Sequence, residues 1–125
     1  EHEYTRYGFH DLLQAGALDI FQFDTNRVGG FTEAQKICHM ALVHGVEVIP
    51  HGGQMHNLHV VMSSFACPMA EYFPQTEIEV GNEMFWYIFD GEVIAENGTL
   101  QLDDNKPGMG LTLKSDYLDQ FKIIQ

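Results

Sequence analysis

A chain of 125 residues with 45% hydrophobic side chains can bury one core, and 19% charged content is well below what holds a chain open. Six Lys and Arg against eighteen Asp and Glu, a formal charge of −12, exclude nucleic acid, because a polyanion must be met by a basic face. No apolar run approaches the ~18 residues of a membrane span and the opening residues do not read as a secretory leader, so no membrane partner and a cytoplasmic location are expected.

Tyr7 to Ala15 places Phe9, Leu12 and Leu13 near helical spacing and meets Gly16, so a short helix is predicted. Leu18 to Phe23 is an apolar and aromatic run that stops at Asp24, as a strand buried on both faces does. After a turn at Gly29-Gly30, Thr32 and Gln35 have capping-box spacing. Ala34, Ile37, Cys38, Ala41 and Leu42 then share one face of a second helix, which Gly45 closes. Val46 to Pro50 reads as a second strand running into His51-Gly52-Gly53. Leu58 to Phe65 reads as a third helix and Ala66 to Tyr72 as a third strand. Cys38 and Cys67 lack CxxC spacing and read as reduced thiols.

This alternation predicts an α/β fold with parallel strands and crossover helices over residues 1–75. Beyond Pro74 the pattern changes to a return segment, residues 76–125. Phe85 to Phe89 is aromatic, and Asn97-Gly98 between Val93-Ile94 and Thr99 to Leu102 predicts a hairpin. Lys106 to Gly110 is a turn cluster, and Leu118 to Ile124 is a mixed tail. The opening Glu, in place of Met, predicts a chain that begins inside a longer reading frame.

Asp24, His51 and Glu71 each fall at or near the C-terminal end of a predicted parallel strand, the edge where α/β active sites assemble. Such a set suits proton abstraction next to a carboxylate. The imidazole of His51 would be the base, with a neighbouring carboxylate, Asp24, fixing its tautomer. The resulting enediolate needs a divalent cation and a hydrogen-bond donor, and Glu1 is a hard oxygen ligand for the cation.

Five segments carry a resemblance: Glu1-His2-Glu3-Tyr4-Thr5, Asp19 to Asp24, Val28 to Glu33, Val48 to Gly52 and Lys106 to Leu111. In this order and spacing the sequence resembles the mandelate racemase branch of the enolase superfamily, most closely the L-rhamnonate dehydratase group. The resemblance implies the C-terminal half of a modified (β/α)7β TIM barrel, with strands five to eight in residues 1–75. Residues 76–125 would return, with a β-hairpin, onto a capping domain. It implies that Glu1 is a Mg2+ ligand, Asp24 and His51 an acid/base dyad, Glu71 the acid on the substrate carboxylate, and His2 a substrate contact. The implied reaction is loss of the C2 proton and then the C3 hydroxyl of a sugar acid, giving a 2-keto-3-deoxy acid.

A single (β/α)8-type barrel takes about 250 residues, so this segment alone is expected to be inactive, and a homo-oligomer is expected of the full-length protein. Phe23, where a proline is common in the family, and Thr25-Asn26-Arg27 depart from its pattern on the active-site face and bear on the choice of sugar acid. Two alternatives stay open. A racemase or epimerase would share the enediolate. A non-catalytic metal module would use the H-x4-H-x2-H array of His51, His56 and His59.

Overall fold

The computed structural model describes residues 1–52, 54–74 and 84–120, and the chain divides into two units, Glu1–Tyr72 and Phe73–Gln125. The first unit opens with helix α1, Arg6–Gln14, whose one buried residue is Phe9. Gly16 ends it with φ at +59°. Its N–H donates to the Leu13 carbonyl at 3.0 Å, and the Ala17 N–H to that of Leu12 at 3.1 Å. A side chain with a Cβ resists that left-handed turn, which is why glycine stands there.

Strand β1, Ile20–Phe21, pairs in parallel with β2, Glu47–Val48, through helix α2, Phe31–His44. Ile20 faces Glu47 and Phe21 faces Val48. The ladder runs on past the named strands: the Ile49 N–H donates to the Phe21 carbonyl at 2.9 Å and the His51 N–H to the Phe23 carbonyl at 2.7 Å. Phe21, Phe23, Val48 and Pro50 are buried on one side of this pair, while Ile20 and Glu47 are exposed on the other. The first strand is therefore covered on one face, not on both as its apolar run predicts.

The core of this unit joins Phe9, Phe21, Phe23, Ile37, Cys38, Val48 and Val60. Phe9 lies 4.8 Å from Phe21 and meets Phe23 edge-on at 6.1 Å. Ala34, Ile37, Cys38 and Ala41 bury the inner stripe of α2, but Leu42 is 44% exposed. At 100° per residue it stands about 80° round from Ala34, at the margin of that stripe. The Thr32–Gln35 capping box does not form. Gly30 is the N-cap with φ 86°, no side chain caps the helix, and the Gln35 amide donates instead to Ser63 Oγ at 2.6 Å.

Helix α3, Met55–Ser63, starts three residues before the predicted position because His56 and Asn57, polar residues, are turned inward and buried. The third predicted strand is absent as an element. Val48 donates to the Ala66 carbonyl at 2.8 Å, but Cys67 turns back to the Ser64 carbonyl and Pro68 has no N–H to donate. Phe65, in that turn, is fully exposed.

In the second unit, helix α4, Met84–Ile88, leads into β3, Phe89–Asp90, which pairs antiparallel with β4, Thr112–Leu113, before helix α5, Ser115–Gln120. The Phe85 and Phe89 rings stack at 6.3 Å. Asn97 and Gly98 both take positive φ, 51° and 77°, as a type I′ turn needs, and Glu96 and Thr99 exchange both backbone hydrogen bonds. The predicted hairpin is reduced to that one bridge. Gly53 and residues 121–124 of the predicted tail lie outside the described residues. Among the described residues no barrel closes, and no helix is long and apolar enough to cross a membrane.

Candidate active site

The strand register decides which side chains can meet. Ile20 opposite Glu47, carried four residues along both chains, sets Asp24 opposite His51. The bond from the His51 N–H to the Phe23 carbonyl is the one that this pairing requires. Both residues have the parity of Ile20 and Glu47, so they rise on the face away from the aromatic core.

His51 stands between two carboxylates. Its Nε2 lies 2.8 Å from Glu1 Oε2 and its Nδ1 3.1 Å from Glu71 Oε2, with each of the three side chains about a quarter to a third exposed. Glu71 Oε2 also accepts the Gly52 N–H at 2.7 Å, so its carboxylate is tied to the backbone beside the imidazole. Both imidazole contacts are hydrogen bonds at once only when both ring nitrogens carry a proton. Glu1 also pairs with His2, whose Nδ1 lies 2.7 Å from the Arg27 guanidinium. Desolvation raises the Glu1 carboxyl, but the imidazoles of His51 and His2 outweigh it and hold it below its usual value.

The side-chain contacts of Asp24 run elsewhere. Its Oδ1 lies 3.6 Å from His56 Nε2 and accepts the Asn26 N–H at 2.9 Å, and its Oδ2 is 3.8 Å from Arg27 Nε. Burial raises its carboxyl, yet the hydrogen bonds from His56 and the Asn26 backbone prevail and lower it. His56, 6% exposed, also lies 2.9 Å from Asn26 Nδ2. Asn57, 1% exposed, accepts the Thr25 N–H at 3.0 Å and donates to the His51 carbonyl at 2.6 Å.

The predicted residues Glu1, His2, His51 and Glu71 are thus linked through shared side-chain contacts, and Asp24 stands beside them in register. The expected Asp24–His51 side-chain pair is not among these contacts. His56 and Asn57 are the residues that sequence reasoning missed as partners of the site. Their role depends on contacts 30 or more residues away in the chain, with Asn26 and Thr25, which local spacing does not reveal.

The profile of the "Enolase C-terminal domain-like" family matches residues 1–117. The chain belongs to that family. It is 40% identical over 116 residues to an L-rhamnonate dehydratase of Saccharopolyspora erythraea, covering 90% of this chain and 29% of that protein. The crystal structure of rhamnonate dehydratase from Gibberella zeae complexed with Mg superposes with a TM-score of 0.80 at 32% identity, over 96% of this chain and 30% of that one. An L-talarate dehydratase from a Polaromonas species, solved with Mg and L-glucarate, gives 0.72 at 26% identity, over 95% and 30%. This enolase-family chain spans about three tenths of the length of the curated relatives it matches.

Solved relatives in this superfamily hold Mg, and the residues present can be tested against it. Glu1 is a hard oxygen donor of the right chemistry. Its carboxylate and that of Glu71 contact opposite nitrogens of one imidazole, too far apart for both to ligate one small cation. Among the described residues no group of three His, Cys, Asp or Glu side chains could hold a metal ion. The residues present therefore do not build a magnesium site by themselves. Among the described residues His51, His56 and His59 likewise form no such group, His51 contacting carboxylates and His56 contacting Asp24 and Asn26.

Proposed function

We propose that the protein carrying this chain is a sugar-acid dehydratase of the L-rhamnonate dehydratase type, a carbon–oxygen lyase. It would remove the proton alpha to the substrate carboxylate and expel the C3 hydroxyl to give a 2-keto-3-deoxy sugar acid. The observation that carries this reading is the position of His51, an imidazole held between carboxylates at a strand end and opposite Asp24 in register. The similarity to rhamnonate and talarate dehydratases supports a sugar acid as the substrate class.

In this reading His51 is the base. Glu71 holds Nδ1, which fixes the ring, and Nε2 is the nitrogen that takes the substrate proton once it turns from Glu1. The imidazolium so formed is the acid that protonates the departing hydroxyl. Asp24, drawn to its anionic form by its hydrogen bonds, favours the imidazolium electrostatically from the neighbouring strand end. Glu71 and His2 border the same imidazole and carboxylate cluster and are the candidate contacts to the substrate carboxylate and hydroxyls. Mg2+, when bound to the whole protein, would stabilise the enediolate, with Glu1 as one of its oxygen ligands.

The fold we infer for the whole protein is a modified (β/α)7β barrel, residues 1–75 contributing barrel strands and residues 76–125 the return segment. The test is a screen of acid sugars for 2-keto product with the full-length protein and its His51→Asn variant. The wild type should dehydrate at least one, and the variant should lose about 10²–10⁴-fold in rate and fail to exchange the alpha proton with solvent deuterium. Dehydration that survives the substitution would refute the assignment of the base.

A further inference from the structure

We propose that Asn57 is a positioning residue that sets the separation between the strand ends carrying Asp24 and His51. This inference rests on the dehydratase reading above. In a parallel pair, one residue of each facing couple bonds to the two residues that flank its partner. His51 faces Asp24, and its N–H already goes to Phe23 at 2.7 Å. The next rung of the ladder would run directly from the Thr25 N–H to the His51 carbonyl.

That rung is replaced. The Thr25 N–H donates to Asn57 Oδ1 at 3.0 Å, and Asn57 Nδ2 donates to the His51 carbonyl at 2.6 Å. One side-chain amide accepts from the first strand and donates to the second, as an inserted peptide group would. The direct backbone contact ends at the Phe23–His51 bond, and one rung further on the amide bridges the two chains in its place. With Asn57 1% and Thr25 2% exposed, bulk water has no access to take over this bridge.

The chemistry of the position is restrictive. Aspartate keeps the acceptor and loses the donor, leucine loses both at similar volume, and glutamine adds a methylene to a closed space. Asn57 touches no reacting atom in this scheme. It acts through the backbone, at the Thr25 N–H that follows Asp24 and at the carbonyl of His51.

The experiment uses the full-length protein with Asn57→Asp and Asn57→Leu. In both, kcat for the acid sugar should fall about 100-fold with KM within about twofold, as a misplacement of about 1 Å produces. The Thr25 amide should exchange slowly with solvent deuterium in wild type and in Asn57→Asp, and about 100-fold faster in Asn57→Leu. A merely structural Asn57 would lower the melting temperature without separating kcat from KM. The proposal is overturned if wild-type Thr25 exchanges like an exposed loop amide, or if Asn57→Asp keeps kcat within twofold. Should no acid sugar be turned over by wild type, the dehydratase reading fails on its own. The His51 ring-proton chemical shift then decides: movement in Asn57→Asp supports the positioning role, and an unchanged shift overturns it. If the leucine variant does not fold, wild-type exchange and Asn57→Asp decide the matter.

Discussion

Glu1 Oε2 lies 2.8 Å from His51 Nε2, which ties the first residue of the chain to the candidate base 50 residues away. The carboxylate proposed above as a cation ligand is the same one that contacts the candidate base. Glu1→Gln keeps the shape and removes the charge. In the full-length protein it should weaken Mg2+ binding by at least about 10-fold, by loss of one anionic ligand. Calorimetric titration with MgCl2 measures this directly. An unchanged affinity would remove Glu1 from the ligand set.

Arg6 and Glu33 couple α1 to the first turn of α2. The guanidinium meets both carboxylate oxygens at 2.8 and 2.6 Å, and Glu33 also accepts the Arg6 N–H at 3.1 Å. That backbone hydrogen bond, followed by the guanidinium, holds the Glu33 carboxyl below its ordinary range. A depressed carboxyl contributes stability that is fully present above its unfolded pKa and lost as pH falls through the folded one. Glu33→Gln should therefore melt at a lower temperature than wild type at pH 7. The gap should shrink as pH drops below about 4.5. Thermal melts at a series of pH values read both.

Phe9 is the single buried residue of α1, and it contacts both Phe21 and Phe23. Phe9→Ala should cost about 3–5 kcal/mol, the loss of an aromatic side chain plus the cavity left behind. Urea unfolding followed by far-ultraviolet circular dichroism would show it. A cost below about 1 kcal/mol would mean that α1 contributes little to this core.

Two glycines separate backbone strain from steric overlap. Gly45 has φ +67° and open space where a Cβ would stand, so Gly45→Ala should cost about 1 kcal/mol through conformation alone. Gly91 has φ +103°, and a Cβ there would run into the Gly110 carbonyl oxygen. Gly91→Ala should cost about 3 kcal/mol, strain and overlap together. Fluorescence of Trp86, the one tryptophan, reports on the unit that holds Gly91.

Helices were readable where apolar spacing and a terminating glycine agreed, as at Ala34, Ile37, Cys38, Ala41 and Gly45. The parallel pair was readable from its apolar runs, but its one-sided burial depends on which helices pack against it. The capping box failed because Gln35 found Ser63, 28 residues on, and Gly30 took the helix start. The third strand failed at Pro68, whose missing donor carried less weight in the sequence than the apolar residues beside it. In the site, Asp24 and His51 are visible as chemistry-bearing residues just past paired strands, whereas Glu71 is visible only as a carboxylate, since the strand expected to carry it does not form. Asp24 contacts His56, and Asn57 is interposed between the strands, because α3 folds its first turn inward, a tertiary fact without a local signature.

Phe65 projects wholly into solvent from the turn that follows α3. A bulky aromatic side chain on an accessible turn is what chymotrypsin selects, so brief digestion of this chain should nick it there first. The cut would leave Asn57 and His51 on one fragment and Glu71 on the other. The imidazole would then keep its partner without a covalent chain between them, through packing at Ala66, the Val48–Ala66 hydrogen bond, and the contacts of Glu71 with His51 and Gly52.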